Sequence, residues 1–546
     1  MSSGTRIARA ATAGTKTDDG RTDGGVTLDR VLSLDAAADV ARGRTRIALA
    51  PAALARCRAS ADRLSALIAE NRRIYGVTTG FGPLAGRTVA VQDTPLLQQK
   101  LVYHLASGVG PLLPWDAARA MVLARLMSIV QGASGASDTT IATMLALLNS
   151  DLAPAVPSQG TVGASGDLTP LAHMVLAFQG KGDFVDRHGR RIPGRAGLDS
   201  LGLSPLTLEA RDGLALVNGT SAMTGVAVLS AIDARASLDW AIALSAGLLE
   251  VLGGQAEAWH PEFARLRPHP GQRVVTAALN ARLAGAARPR RALAAEGRVT
   301  ATSEAAAPPH QDAYTLRCVP QVLGAVADTL AWHESVVATE LGSVTDNPVF
   351  PEEGPCALHG GNFMGQHVAL ASDAATNAIT VMAGLAERQM ARLTDEKLNG
   401  GLPAFLQGGR AGLDSGLMGA QVTATALLAE LRASAMPMSS QSLSTNGANQ
   451  DVVSLGTIAA RRTHAGLAIC SSIQAILAIA VSAGLDYVEL RDGGDPSVLS
   501  PNAHLLRRFV RRFSARLGPD RPLGADIECL AAAMRTQGPP EETTGG

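Results

Sequence analysis

With 546 residues the chain can bury a large core, and length alone suggests two to four domains. Its 48 Lys and Arg are balanced by 48 Asp and Glu, which argues against the basic footprint of a nucleic-acid binder and against a charged tail. Aromatics make up only 3% while Ala, Leu and Gly abound, a mix that favours helices over sheets.

In chain order, residues 1–26 are polar, rich in Gly, Thr and Asp, and aperiodic, so a disordered tail is expected. Arg6 and Arg9 precede ATAGTKTDDG, which has no apolar core and does not read as a secretory signal. An N-terminal domain is expected over 27–217. Gly and Pro break it into short elements, with compact loops at Tyr75-GVTTGFG and Gly160-TVGASGDLTP.

The remainder, 218–535, reads as a helical bundle. Long Ala/Leu/Val segments run at about Thr220–Gly253, Pro320–Leu341, Asn362–Leu393, Ala420–Ala435 and Val452–Leu490. The last would form a rod about 60 Å long, and such rods pack most simply up and down. Asn399-Gly400-Gly401 and Met436-Pro437 supply turns. Segment 287–313 is the expected mobile loop, and 536–546 a second disordered tail. Ala465–Leu485 carries no charge and is long enough to span a bilayer, but Ser471, Ser472, Gln474 and Ser482 interrupt it. A buried core helix is the better reading, with no membrane partner. The fold class is therefore mainly α: a loop-rich N-terminal domain and a long central up-and-down bundle.

The five cysteines (Cys57, Cys318, Cys356, Cys470, Cys529) are scattered, with no C-x-x-C pair, so a reducing cytoplasm is expected and neither a disulfide framework nor a zinc site. There is no P-loop, dinucleotide fingerprint, H-E-x-x-H or G-x-S-x-G elbow, so no nucleotide or metal cofactor is expected. His359 and His367 flank a Gly-rich turn without metal-ligand company and read as loop histidines.

Ala-Ser-Gly occurs three times, at Ala106–Gly108, Ala133–Gly135 and Ala164–Gly166. The third stands in T-V-G-A-S-G-D-L-T-P-L-A-H, where Gly163 and Gly166 allow unusual dihedrals. If the Gly166 nitrogen is pressed onto the Ala164 carbonyl carbon, a five-membered ring closes. Loss of water and dehydration of Ser165 then leave a methylidene-imidazolone electrophile. The plainer reading of the tripeptide is a tight turn ahead of a helix.

The surrounding segments favour the chemical reading. Tyr75-GVTTGFGPLA, GTVGASGDLTPLAHM, Val217-NGTSAMTG, Gln311-DAYTLRC, Val344-TDNPVF, His359-GGNFMGQH and Ser444-TNGANQDVVSLG resemble the histidine and aromatic amino acid ammonia-lyase family, in its order and spacing. The likeness runs across nearly the whole chain between the two tails and is strongest to the bacterial tyrosine-acting branch. It implies a mostly helical homotetramer with a 4-methylidene-imidazol-5-one formed from Ala164, Ser165 and Gly166. Tyr75 matches the catalytic base. Asn218, Tyr314, Arg317, Asn347, Gln450 and the segment containing Asn446 and Asn449 match positions around electrophile and substrate. Gly82 matches a glycine that lets backbone approach the ligand.

These residue types suit an ammonia elimination. A β-hydrogen is barely acidic, and a phenol near pKa ~10 abstracts it only if shifted by positive charge or hydrogen bonds. Arg317 offers a planar fork for an α-carboxylate. In Leu101-Val-Tyr-His-Leu-Ala-Ser, the pair His104-Leu105 replaces the Ser-His of histidine-acting members and the usual Phe-Leu of phenylalanine-acting ones. An imidazole at His104 can bond a phenol while Leu105 packs on the ring, and a site built for a hydroxyl disfavours phenylalanine. Thr78 stands where histidine-acting relatives often carry Asn. The expected reaction is conversion of L-tyrosine to trans-p-coumarate and ammonia. The alternatives are a tyrosine 2,3-aminomutase, or histidine or phenylalanine elimination with the same electrophile.

Overall fold

The computed structural model describes residues 21–22, 25–289, 311–353 and 357–541. Most of the expected N-terminal tail, most of segment 287–313, the last five residues and Cys356 lie outside the described residues.

The N-terminal portion alternates short helices with three small sheets. Strands β1 (Arg21–Thr22), β2 (Gly25–Leu28) and β3 (Ile47–Leu49) form the first, with β2 and β3 parallel. Strand structure thus reaches into the segment 1–26 expected to be a tail: Val26 and Leu28 are buried against the core, and their ladder with β3 holds them there. Strands β4 (Val109–Leu112) and β6 (Pro157–Gln159) pair antiparallel, as do β5 (Ala153–Pro154), β7 (Asp183–Val185) and β8 (Arg191–Pro193). The helices of this portion are α1 (Leu34–Ala41), α2 (Pro51–Ala69), α3 (Thr94–Leu105), α4 (Trp115–Ile129), α5 (Asp138–Leu148), α6 (Leu168–Phe178), α7 (Gly194–Ser200) and α8 (Asp212–Val217). Side-chain caps start some of them: Ser33 accepts from the Ala36 N–H and Ser137 from the Thr140 N–H.

The second portion is made of rods. Helix α9 (Ser221–Leu252) is followed by the short α10 (Pro261–Leu266), α11 (Pro270–Arg282) and α12 (Tyr314–Arg317). Then come α13 (Val319–Leu341), α14 (Gln366–Thr394), α15 (Met418–Ser434), α16 (Gly456–Arg491), α17 (Pro501–Arg511) and α18 (Gly524–Thr536). The five expected rods correspond to α9, α13, α14, α15 and α16. Helix α16 has 36 residues, about 54 Å of rod. It and α14 are apolar and long enough to cross a membrane by composition, yet both are largely buried among their neighbours.

Two large apolar cores meet along α9. Its residues Ala222–Ala231 pack with α1, α4 and α6, while Ala234–Val251 pack with α13, α14 and α16. One helix therefore belongs to both halves, although the sequence suggested a boundary at 217/218. At the C-terminus, the Trp240 indole N–H donates to the Met534 and Gln537 carbonyls, and Arg282 reaches the Pro540 carbonyl and Glu541. The described chain is thus held to the bundle as far as Glu541, the sixth residue of the segment 536–546 expected to be a tail.

Candidate active site

The Ala164-Ser165-Gly166 turn lies just before α6, where the first turns of α9 and α16 also meet. Ala164 and Gly166 pair across the turn, and Gly166 pairs in turn with Gly219. Gly166 has φ +70°, and a Cβ there would run into the Gly219 carbonyl, so only glycine fits. Upstream, Gly163 at φ +70° packs against Ser454, whose hydroxyl donates to the Gly163 carbonyl at 3.2 Å. The Leu455 N–H donates to the Val162 carbonyl at 2.9 Å. Leu455 itself is left-handed at φ +53°, a conformation a branched residue adopts only when its surroundings enforce it.

Asp167 secures the downstream side. It is fully buried and accepts from the Met223 N–H at 2.8 Å and from the Thr457 hydroxyl, at the first turns of α9 and α16. Burial raises its carboxyl pKa to about 6, opposed by those hydrogen bonds.

Two amides converge on Ser165. The Gln450 Nε2 donates to Ser165 Oγ at 3.1 Å, and the Asn218 Nδ2 to the Ser165 carbonyl at 3.4 Å. Gln450 is oriented by Thr445, which bonds its Oε1 at 2.9 Å and pairs with its backbone. That closes a turn in which Asn446, Gly447 and Ala448 all have positive φ. Asn218 is held from below: Arg125 donates to its carbonyl, and its own Oδ1 is buried without a protein partner. Arg125 is wholly buried, and desolvation lowers its pKa to about 10. Beside it, Arg211 grips Asp346 through two bonds of 2.7 and 2.9 Å, and Asp346 accepts from the Asn347 N–H. These contacts fix Asn347, whose Oδ1 accepts from the Gly360 N–H at 2.7 Å.

The Tyr75 loop forms another wall. Its phenol oxygen accepts from the Gly82 N–H at 2.9 Å, and the ring lies edge-on to Phe81, 6.1 Å between centroids. Gly82 has φ +51°, and a Cβ there would sit 2.8 Å from the Asn446 amide, with Asn449 beyond it at 3.8 Å. Tyr75, Gly82, Asn446 and Asn449 therefore form one cluster.

His104 lies in the last turn of α3 and is exposed. Its Nδ1 faces the Lys100 carbonyl at 3.0 Å, so a proton there leaves Nε2 free to accept. Leu105 is half-buried against the N-terminal core. Three residues on, the Gly108 N–H donates to His173, and Gly108 lies against Gly160 of the electrophile segment.

Two expected residues lie elsewhere in the chain. Tyr314 and Arg317 form α12, at the opposite end of α13 from the Ala164-Ser165-Gly166 turn. Glu340, near the C-terminus of α13, accepts from the Thr220 hydroxyl two residues from Asn218. At 1.5 Å per residue, α12 is about 30 Å away. Tyr314 is 69% exposed, and the Arg317 guanidinium stacks 4.8 Å from its ring. The expectation that both surround the electrophile is therefore not met within one chain.

Sequence reading passed over Arg125, Arg211, Asp346, Ser454 and Thr457, because each acts on a partner from a distant segment. It also set His359 aside as a loop histidine, whereas its Nε2 accepts from the Tyr75 N–H at 3.3 Å. Asp167 was passed over as well, although an acid directly after the tripeptide was a signal that could have found it. Among the described residues no cluster suits a metal ion. The turn does suit a ring formed from its own backbone: Ala164 meets Gly166, the glycine admits no side chain, and Ser165 is held at both oxygens.

Residues 32–512 match the model of the aromatic amino acid lyase family. The chain is 58% identical to a tyrosine ammonia-lyase of Cereibacter sphaeroides, over 94% of this chain and 98% of that one. It is 38% identical to an MIO-dependent tyrosine 2,3-aminomutase of Streptomyces globisporus, over 92% and 93%. The crystal structure of a tyrosine aminomutase from Streptomyces globisporus superposes with a TM-score of 0.87, covering 94% of this chain and 97% of that one at 36% identity. By its sequence and by its architecture, the chain belongs to the aromatic amino acid lyase family.

Proposed function

We propose that this protein is a tyrosine ammonia-lyase, a carbon-nitrogen lyase that converts L-tyrosine to trans-p-coumarate and ammonia in the cytoplasm. The observation that carries this reading is the 58% near-full-length identity to a tyrosine ammonia-lyase. The held Ser165 and the His104-Leu105 pair agree with it. A methylidene-imidazolone made from Ala164, Ser165 and Gly166 supplies an electrophilic carbon that ties the substrate nitrogen to an electron sink.

The chain's own residues do the rest. Asn218 and Gln450 orient Ser165, the buried Arg125 beneath Asn218 keeps that amide in place, and Asp167 locks the turn to α9 and α16. Tyr75 takes the β-proton, its oxygen placed by the Gly82 N–H. His104 receives the substrate phenol and Leu105 packs on its ring. Arg317 clamps the α-carboxylate and Tyr314 lines the site beside it. Both are supplied by a second copy, which fits the homotetramer that the family resemblance implies, with sites shared between chains.

The test is incubation with tyrosine, phenylalanine and histidine in parallel, following cinnamate-type absorbance and separating β-tyrosine by chromatography. Tyrosine is expected to give p-coumarate fastest. Accumulation of β-tyrosine instead would establish an aminomutase, the activity named for the Streptomyces globisporus protein to which the chain is 38% identical. Intact mass should fall short of the sequence by two waters. Ser165→Ala should restore the full mass and abolish turnover. Tyr75→Phe should keep the mass deficit yet lose about 10²-fold or more in rate, and an unimpaired Tyr75→Phe would place the base elsewhere.

A further inference from the structure

We infer that His359 is the positioning residue for Tyr75: its unprotonated Nε2 accepts the Tyr75 backbone N–H and so sets where the phenol stands. The inference rests on the proposed role of Tyr75 as base, but the contact itself does not.

Within the Tyr75 loop the backbone donors are satisfied locally. The Ile74 N–H goes to the Thr78 hydroxyl, that of Gly76 to the Thr79 hydroxyl, and those of Val77 and Thr78 to the Ile74 carbonyl. The Tyr75 N–H is satisfied from 284 residues away, by His359. An amide left unpaired here would loosen the loop where its aim matters.

His359 is well placed to hold it. Leu358 and Val349 exchange two backbone bonds of 3.0 Å, and the Gly360 N–H is fixed on Asn347, so the residue is pinned on both sides. Phe350 of that hairpin packs with Leu64, Leu67, Ile74 and Val77 in a small core directly under the Tyr75 loop. Hairpin and loop thus share both an apolar base and a polar clasp, and the Tyr75 ring, anchored at its Gly82 end, is located at two points.

Because a backbone N–H only donates, the clasp exists only while Nε2 carries no proton. Partial burial lowers the His359 pKa below the ordinary histidine value, and the charge of Arg211 in the segment before α8, itself paired with Asp346, lowers it further. The ring is therefore neutral at neutral pH. As pH falls through its pKa, two donors come to face each other and the loop is released.

The full-length protein with His359→Leu or His359→Gln tests this, the Gln amide oxygen being an acceptor that does not titrate. His359→Leu should lower kcat for tyrosine roughly tenfold, with a smaller change in KM. Exchange of the Tyr75 amide should accelerate by a similar factor. His359→Gln should recover most of kcat and flatten the acid side of the kcat–pH profile. Wild-type kcat and Tyr75 amide exchange in His359→Leu would overturn the inference. Should the Leu variant not fold, a Gln variant whose acid limb matches wild type would overturn it equally. If wild-type protein makes no p-coumarate, the function assigned above fails, while amide exchange still decides the role of His359.

Discussion

Asp167 shows how one buried carboxylate can organise a reactive turn. Its donors come from the first turns of two long helices, where backbone N–H groups lack helical partners and the dipoles favour negative charge. They do not fully offset desolvation, since the pKa is raised to about 6. The folded state therefore binds this proton more tightly than the unfolded chain does. The group's contribution to stability is fully present below about pH 4 and is lost as pH rises through about 6. At about 1.4 kcal/mol per pKa unit, the loss is about 3 kcal/mol. Asp167→Asn does not titrate, so its stability relative to wild type should improve by about that amount between pH 4 and pH 7, read from denaturant midpoints at both values. A pH-independent difference would mean that Asp167 keeps an ordinary pKa. At the substrate end, His104→Phe should shift preference from tyrosine towards phenylalanine by about ten-fold or more, because the phenol loses its acceptor. An unchanged tyrosine-to-phenylalanine ratio would remove His104 from the specificity wall.

At the scale of elements, the five long rods were legible because each is an Ala/Leu/Val run without breakers, and α9 and α13 matched expectation within two residues at either end. The eight strands among the described residues were not, since they have two to four residues, several contain Pro or Gly, and such segments carry no alternation to read. Helix-to-helix approach was equally invisible. Gly225 on α9 faces α4 so closely that a Cβ would sit 2.5 Å from the Ala120 carbonyl carbon and the Met121 nitrogen, backbone on both sides. This crossing matters to the site, because Arg125 extends from the next turn of α4 to the Asn218 carbonyl. Gly225→Ala should therefore cost about 1–3 kcal/mol in denaturant unfolding and lower turnover as well, by displacing Arg125 from Asn218. Gly518→Ala, where an added methyl meets open space, should change neither.

At the scale of the whole molecule, a site shared between copies would reconcile motifs that place Tyr314 and Arg317 with Ser165 and a single chain that holds them about 30 Å apart. Motifs report which residues act together, not which copy carries each, and no periodicity distinguishes an intrachain neighbour from an interchain one. The surface points the same way. Helix α15 buries only Ala424, Leu428 and Leu431 within the chain and leaves Val422 60% exposed, and Val381 on α14 is 51% exposed. Apolar faces of this kind on long rods are what another copy would cover. The consequence can be tested by complementation. On the proposed function, Ser165→Ala lacks the electrophile but carries an intact α12, while Arg317→Ala lacks the carboxylate clamp but carries an intact electrophile. Each should be inactive alone. Assembled together from an equal mixture, they should regain roughly a quarter of wild-type turnover, since that share of sites draws a sound half from each chain. Reassembly must proceed through unfolded or co-expressed chains, because folded oligomers need not exchange subunits. If co-expressed oligomers containing both variants stay inactive, electrophile and clamp come from the same chain, and α12 would have to swing the length of α13 to meet the substrate.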